Sequence, residues 1–263
     1  MKKLLIAIAV IALVCAAGTV QAKDWKLVRI GVEGAYPPFS YTTADGKLEG
    51  FDIDIARALG KAMGVEVKLI PQDWDGIIPA LLARKYDAII ASMSITEERK
   101  KKVAFTNKYY QTPAKFIGKK GSIKEFTREQ VAEATAGKKI GVQRATIHDN
   151  FVTDQGAKDA VIKRYATQDE AYMDLAAGRV DMLLADSVAM SEGFLKKPEG
   201  QDYQFIGPDL VEIKYFGEGA GIACRKKDKD LVEMLNKAIV QIRSDGTYKK
   251  IQDKYFDFNV YGE

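Results

Sequence analysis

Apolar residues along this chain come in short runs separated by charged or glycine-bearing turns, and one such pattern is written twice. Residues 29–36 read RIGVEGAY and residues 139–146 read KIGVQRAT. Each is an apolar strand ending in a turn with a small residue. A second echo follows each copy: residues 81–92 read LLARKYDAIIAS and residues 175–186 read LAAGRVDMLLAD. Both pass from a helix end through an Asp (Asp87, Asp181) into an apolar strand, with Ser92 or Asp186 at its carboxyl end. Any β–α unit shares part of this grammar, so one echo means little. Two echoes in the same order predict two similar lobes, and ligands of α/β sheets sit at the carboxyl ends of strands.

The same pattern predicts the elements. Strands are expected at 28–32, 65–70 and 88–91, with helices from 51 and over 76–83. Phe51, Ile55, Leu59 and Met63 fall on one face of the first helix, with Asp52 as its expected cap. Residues 119–137 read as a polar surface helix and turn. A second series starts at Lys139: a strand from 139, strands at 160–165 and 182–185, and helices from about 146, over 168–177 and over 187–194. The end of the chain, 230–255, is a helix, a Ser244-Asp245-Gly246 turn and another helix. Alternating strands and helices predict mostly parallel α/β sheets. The chain has no low-complexity linker, so ordered strands near 109–115 and 212–216 are expected to join the lobes. Two crossings place one lobe inside the other: 23–112 with 213–263, and 113–212.

The first 22 residues are set apart. Lys2 and Lys3 precede an apolar stretch and the small-x-small site Val20-Gln21-Ala22, the pattern of a cleavable export leader. The apolar run is shorter than the ~20 residues needed to span a bilayer. Val14 before Cys15 does not fit a lipoprotein signal. Periplasmic export with cleavage after Ala22 is expected, leaving enough chain for two modest domains.

Loss of Lys2 and Lys3 lowers the formal charge from +4 to +2. Basic and acidic residues are interspersed, and even the run Arg99 to Lys102 follows Glu97 and Glu98. No basic stripe interleaved with aromatics points to nucleic acid. Cys224 stands alone after leader removal, and reads as a small buried side chain. One histidine, His148, and no Cys/His cluster give no metal-site pattern.

The candidate chemistry lies at strand ends. Thr96 reads as a helix cap, which puts Arg99 in the first turn, where a cation opposes the helix dipole. Either Glu97, Glu98 and solvent compensate it, or it reaches into a cleft and grips a carboxylate in a bidentate fork. Thr146 caps the matching helix with Asp149 in the capping-box position, and the N–H groups of Ile147 and His148 offer an anion site; an ordinary capped helix is the commoner case. Asp186 either receives an ammonium group or caps the helix after it. Glu33 is the equivalent end in the first lobe. Tyr36 and Trp74 are loop aromatics, read as stacking plates for an aliphatic stem or cation or as packing residues. No nucleophile motif, phosphate loop or zinc motif is present. The inventory suits recognition of a small zwitterion better than catalysis.

Over essentially the whole mature chain, the sequence resembles the periplasmic amino-acid-binding proteins of ABC importers, type II fold, and within them the lysine/arginine/ornithine- and histidine-binding branch. The stretches that carry the likeness are GAYPPFS (34–40), GFDID (50–54), IIASMSIT (89–96), YFG (215–217), DGTY (245–248) and KYFDFNVYG (254–262). The resemblance implies a two-lobed α/β protein with ligand in the cleft, and a ligand carboxylate held by Arg99, the Ser94 backbone and the Ile147 N–H. It implies an α-ammonium at Asp186 and the Ser92 region, a stem between Tyr36 and Trp74, and a cationic head group facing Glu33. Ala91, Met93, Gln143, Thr146 and His148 complete the expected set. There are departures. Ala91 stands where relatives often carry Ser, Ala145 replaces a Gly, and Ile147 offers no hydroxyl. The longer Glu33, with Trp74 and Ala91, also resembles opine binders. Gly60 and Val67 occupy the places of a small disulfide.

The resemblance implies a binding protein, without cofactor and monomeric, that takes arginine first and lysine, ornithine or histidine next, closes on a hinge and serves an inner-membrane permease. The rivals are an opine binder, a periplasmic enzyme like cyclohexadienyl dehydratase, and a ligand-presenting module for a chemoreceptor.

Overall fold

The computed structural model describes residues 23–262; the expected leader, Cys15 included, lies outside the described residues. Two five-stranded sheets organise the chain. In the first, the strand Leu27–Val32 lies between Glu66–Pro71 and Ala88–Ile89, parallel to both. Ala220–Cys224 then adds antiparallel to Ala88–Ile89, and Ala104–Tyr110 closes that edge. In the second, Lys139–Gln143 lies between Val161–Tyr165 and Met182–Asp186, again parallel to both. Ala114–Lys119 adds antiparallel to Met182–Asp186, and Tyr203–Leu210 closes the edge. The duplicated sequence thus fills the same place in both sheets. In each, the antiparallel fourth strand is one that has crossed over from the other sheet.

The glycine shared by the two copies has a packing reason. A Cβ on Gly31 would stand 2.6 Å from the Tyr86 ring, and one on Gly141 would run into Leu183. Both strands need a bare backbone on one face so that a large side chain from the following unit can lie across it. The other face is apolar: Val28, Ile30 and Val32 enter the first core with Phe51, Ile55 and Leu59 of the helix Phe51–Met63. The amphipathic helix Lys229–Ser244 covers the same core through Leu231, Leu235 and Ile239. Ile140, Val142, Phe151, Leu184 and Phe216 form the core of the second sheet. Cys224 is fully buried in its strand.

Three expectations are corrected. Asp52 does not cap its helix: Gly50 takes that position, and Asp52 turns inward. The second crossing falls later than 213, because the short helix Ile213–Phe216 packs Tyr215 and Phe216 onto the second lobe's core. The return therefore runs through residues 217–219. The strand expected at 88–91 pairs only over Ala88–Ile89 before the chain turns at Ser92, whose φ is 51°. Where a disulfide was absent from the sequence, Val67 packs directly onto Gly60.

Candidate functional site

Both sheets point strand ends at a shared cleft. Glu33, Tyr36, Trp74, Ala91, Ser92, Ser94, Arg99, Gln143, Thr146, Ile147, His148 and Asp186 all line it. Of the expected set, only Met93 does not. The chain turns at Ser92 and leaves Ser92 and Ser94 on the cleft wall, while the Met93 side chain packs into the apolar cluster with Trp74, Ile77 and Tyr86.

Local structure explains each placement. Thr96 caps the short helix Glu97–Lys100 by accepting from the Arg99 N–H at 3.3 Å. Arg99 then folds back and its guanidinium donates to the Ser94 carbonyl at 3.0 Å, 5.1 Å from the Trp74 ring. Thr146 caps Ile147–Gln155 in the same way, accepting from the Asp149 N–H at 3.1 Å. The Asp149 carboxylate accepts from the Ala145 N–H rather than from the cap residue, and from Arg164. The first-turn N–H groups of Ile147 and His148 have no acceptor within the helix. Asp186 fulfils the capping reading: one oxygen accepts from the Val188 and Ala189 N–H groups, the other from the Thr112 hydroxyl. It does so while lining the cleft.

The lobes meet across the cleft. Gln143 Nε2 donates to Glu33 at 2.5 Å, the Trp74 indole N–H donates to the Ala145 carbonyl at 3.1 Å, and Arg144 pairs with Asp75 at 2.6 Å. Tyr36 stacks on Phe39 with ring centroids 6.1 Å apart. Tyr36 and Trp74 both line the cleft, and part of the Trp74 face is already occupied by Arg99.

Burial sets the electrostatics. It raises Glu33 to about 7, against the pull of the Gln143 hydrogen bond, and neighbouring carboxylates raise it further. Asp186 rises to about 6 from burial, opposed by its Thr112 and backbone hydrogen bonds. Arg99 is lowered to about 10 by burial. His148, against Phe216, is lowered to about 3 by burial and the nearby Arg99, so it is a neutral imidazole. Among the described residues, none of Glu33, Asp186 and Arg99 belongs to an ion pair. One cation and two carboxylates thus face the cleft without protein countercharges. Among the described residues no cluster of His, Cys, Asp or Glu is arranged for a metal, and no helix is long and apolar enough to cross a membrane.

The sequence pattern of the bacterial extracellular solute-binding proteins, family 3, matches residues 28–258. The chain belongs to that family. This family 3 protein is 51% identical over 238 residues to the L-arginine-binding protein of Pseudomonas aeruginosa, covering 90% of each chain. It is 41% identical to the lysine/arginine/ornithine-binding periplasmic protein of Escherichia coli over the whole of both chains. Among solved structures it resembles a Salmonella typhimurium periplasmic binding protein described for high arginine specificity. The TM-score there is 0.80 and the identity 30%, over 88% of this chain and 99% of that one. Such relatives are two-lobed periplasmic binding proteins, as the fold here is.

Sequence reasoning missed several wall residues of the family 3 protein. Tyr110, Gln111, Thr112, Phe216, Gly217 and Gly219 line the cleft from the two crossing segments. A signal existed: segments that join two lobes must pass the space between them. Asp52 reads from the sequence only as a cap, and nothing in its local pattern separates it from the half-buried Asp54 two residues later.

Proposed function

We propose that this protein captures a basic L-amino acid, arginine first, in the periplasm and delivers it to an inner-membrane ABC permease. The observation that carries the reading is the charge pattern of the cleft. Arg99 suits one carboxylate, and Asp186 and Glu33 suit two cations. A buried charge without a partner opposes binding, so a ligand with one carboxylate, an α-ammonium and a cationic head group matches all three. The close relatives bear names of arginine, lysine, ornithine and histidine binding, which supports the same class.

In this reading the ligand carboxylate meets Arg99 together with the Ser94 and Ile147 N–H groups. The α-ammonium meets Asp186 and Ser92, the stem lies along Tyr36 and Trp74, and the head group faces Glu33. Residues 23–112 and the chain after Phe216 form one lobe, and 113–216 the other. They swing about 111–113 and 217–219. Closure is favoured by the extra contacts that Thr146, Ile147 and Asp186 make with ligand in the closed state, since only differential affinity shifts such an equilibrium. The protein acts as a monomer, and binding rather than turnover is its activity.

The test is the melting temperature of stripped, refolded protein with L-arginine, L-lysine, L-ornithine, L-histidine, octopine and L-glutamate. A ligand that binds only the native state raises it. A rise with arginine or its cationic neighbours and none with glutamate is expected. A rise with octopine alone would move the protein to the opine binders, and turnover of prephenate or arogenate would make it an enzyme.

A further inference from the structure

Asp52 is a fully buried carboxylate that pairs with no cation among the described residues. It sits in the first turn of Phe51–Met63, and its carboxylate accepts from Ser92, which lines the cleft, and from Tyr109 behind it. One oxygen accepts from the Ser92 N–H at 2.8 Å and from the Ser92 hydroxyl at 3.0 Å. The other accepts from the Tyr109 hydroxyl at 2.8 Å. Tyr109 is itself held, because its carbonyl accepts from the Tyr248 hydroxyl at 2.7 Å and its phenol oxygen accepts from the Ser92 N–H at 3.2 Å. These bonds pin Ser92 at φ 51°, a left-handed conformation that a non-glycine residue adopts at a cost.

We propose that Asp52 is a positioning residue that fixes the Ser92 hydroxyl as an acceptor toward the ligand's α-ammonium, so that the cleft tells an amino acid from its 2-hydroxy analogue. A serine hydroxyl has one proton and two lone pairs. With its proton committed to Asp52, Ser92 offers the cleft only lone pairs. Asp186 has little acceptor capacity to spare: one oxygen serves two backbone N–H groups and the other serves Thr112. A second acceptor is therefore needed for an ammonium with three N–H groups. A 2-hydroxy acid brings a single proton and leaves either Ser92 or Asp186 facing a lone pair, and buried polar groups left unpaired are what reject an analogue.

The inference rests on the binding reading above. The experiment is calorimetric titration of L-arginine and L-argininic acid, its 2-hydroxy analogue, into wild type, Asp52→Asn, Ser92→Ala and the double variant. The preference for arginine should fall about tenfold or more in each single variant, and no further in the double variant. Equal weakening of both ligands in Ser92→Ala, or an unchanged preference, overturns the proposal and leaves Asp52 a purely structural group. Should Asp52→Asn fail to fold, the Ser92→Ala ratio still decides. Should wild type bind no arginine, the binding reading fails on its own. The relay is then read on whichever amino acid raises the melting temperature, paired with its 2-hydroxy analogue.

Discussion

The Trp74 indole N–H reaches across the cleft to the Ala145 carbonyl at 3.1 Å, tying the two lobes together beside Arg99. Trp74→Phe keeps an aromatic plate under Arg99 but removes this bond. A net hydrogen bond is worth about 0.5–1.5 kcal/mol. The variant should therefore bind L-arginine roughly 2- to 12-fold more weakly, with its ligand-free form shifted toward the open state. Calorimetry gives the affinity, and small-angle scattering of the ligand-free protein gives the opening. An unchanged affinity with unchanged scattering would remove Trp74 from the closing contacts.

Ala145 offers that carbonyl from an unfavourable backbone, with φ at 59°. A left-handed residue with a Cβ costs roughly 1–2 kcal/mol, against which glycine's greater unfolded freedom weighs about 0.5–1 kcal/mol. Ala145→Gly should thus raise the unfolding free energy slightly, read as a higher denaturant midpoint at unchanged slope. A lower midpoint would mean that the Ala145 methyl packs more usefully than its backbone is strained.

Glu33 and Asp186 are lifted to about 7 and about 6 by burial. A cation placed beside them holds both ionised and draws their pKa values down, so binding releases protons. By linkage, affinity for arginine rises as pH climbs from 5 and levels off above 7. Titrations in buffers of different ionisation enthalpy count the released protons. Glu33→Gln should flatten the slope near pH 7 and weaken arginine far more than a neutral amino acid. A flat pH profile in wild type, or equal losses for both ligands in the variant, would place the head group elsewhere.

The repeat was the most legible part of this chain, because it reports packing at two equivalent strands. Gly31 and Gly141 recur since each strand must pass under a bulky neighbour. Thr96 and Thr146 could be read as caps because capping is local chemistry, and both accept from the third helical N–H. Arg99, Glu33 and Asp186 followed from their places at strand or helix ends. What failed depended on long-range contacts. Asp52 looks like a cap until Ser92, forty residues later, supplies donors for it. Met93 lies between two cleft serines, and only the turn at Ser92 decides which side chains face in. The helix Ile213–Phe216 stays with the second sheet because Tyr215 and Phe216 pack on Phe151, a contact that no local pattern encodes.

The charge pattern of the cleft calls for a ligand with a carboxylate, an α-ammonium and a second cation. The most direct measurement is a calorimetric titration of stripped, refolded wild type with L-arginine and with L-citrulline, its neutral counterpart of nearly the same shape. Arginine should bind at least tenfold more tightly, since a hydrogen bond to a charged group contributes about 1.5–3 kcal/mol. Equal affinities, or tighter binding of citrulline, would contradict it.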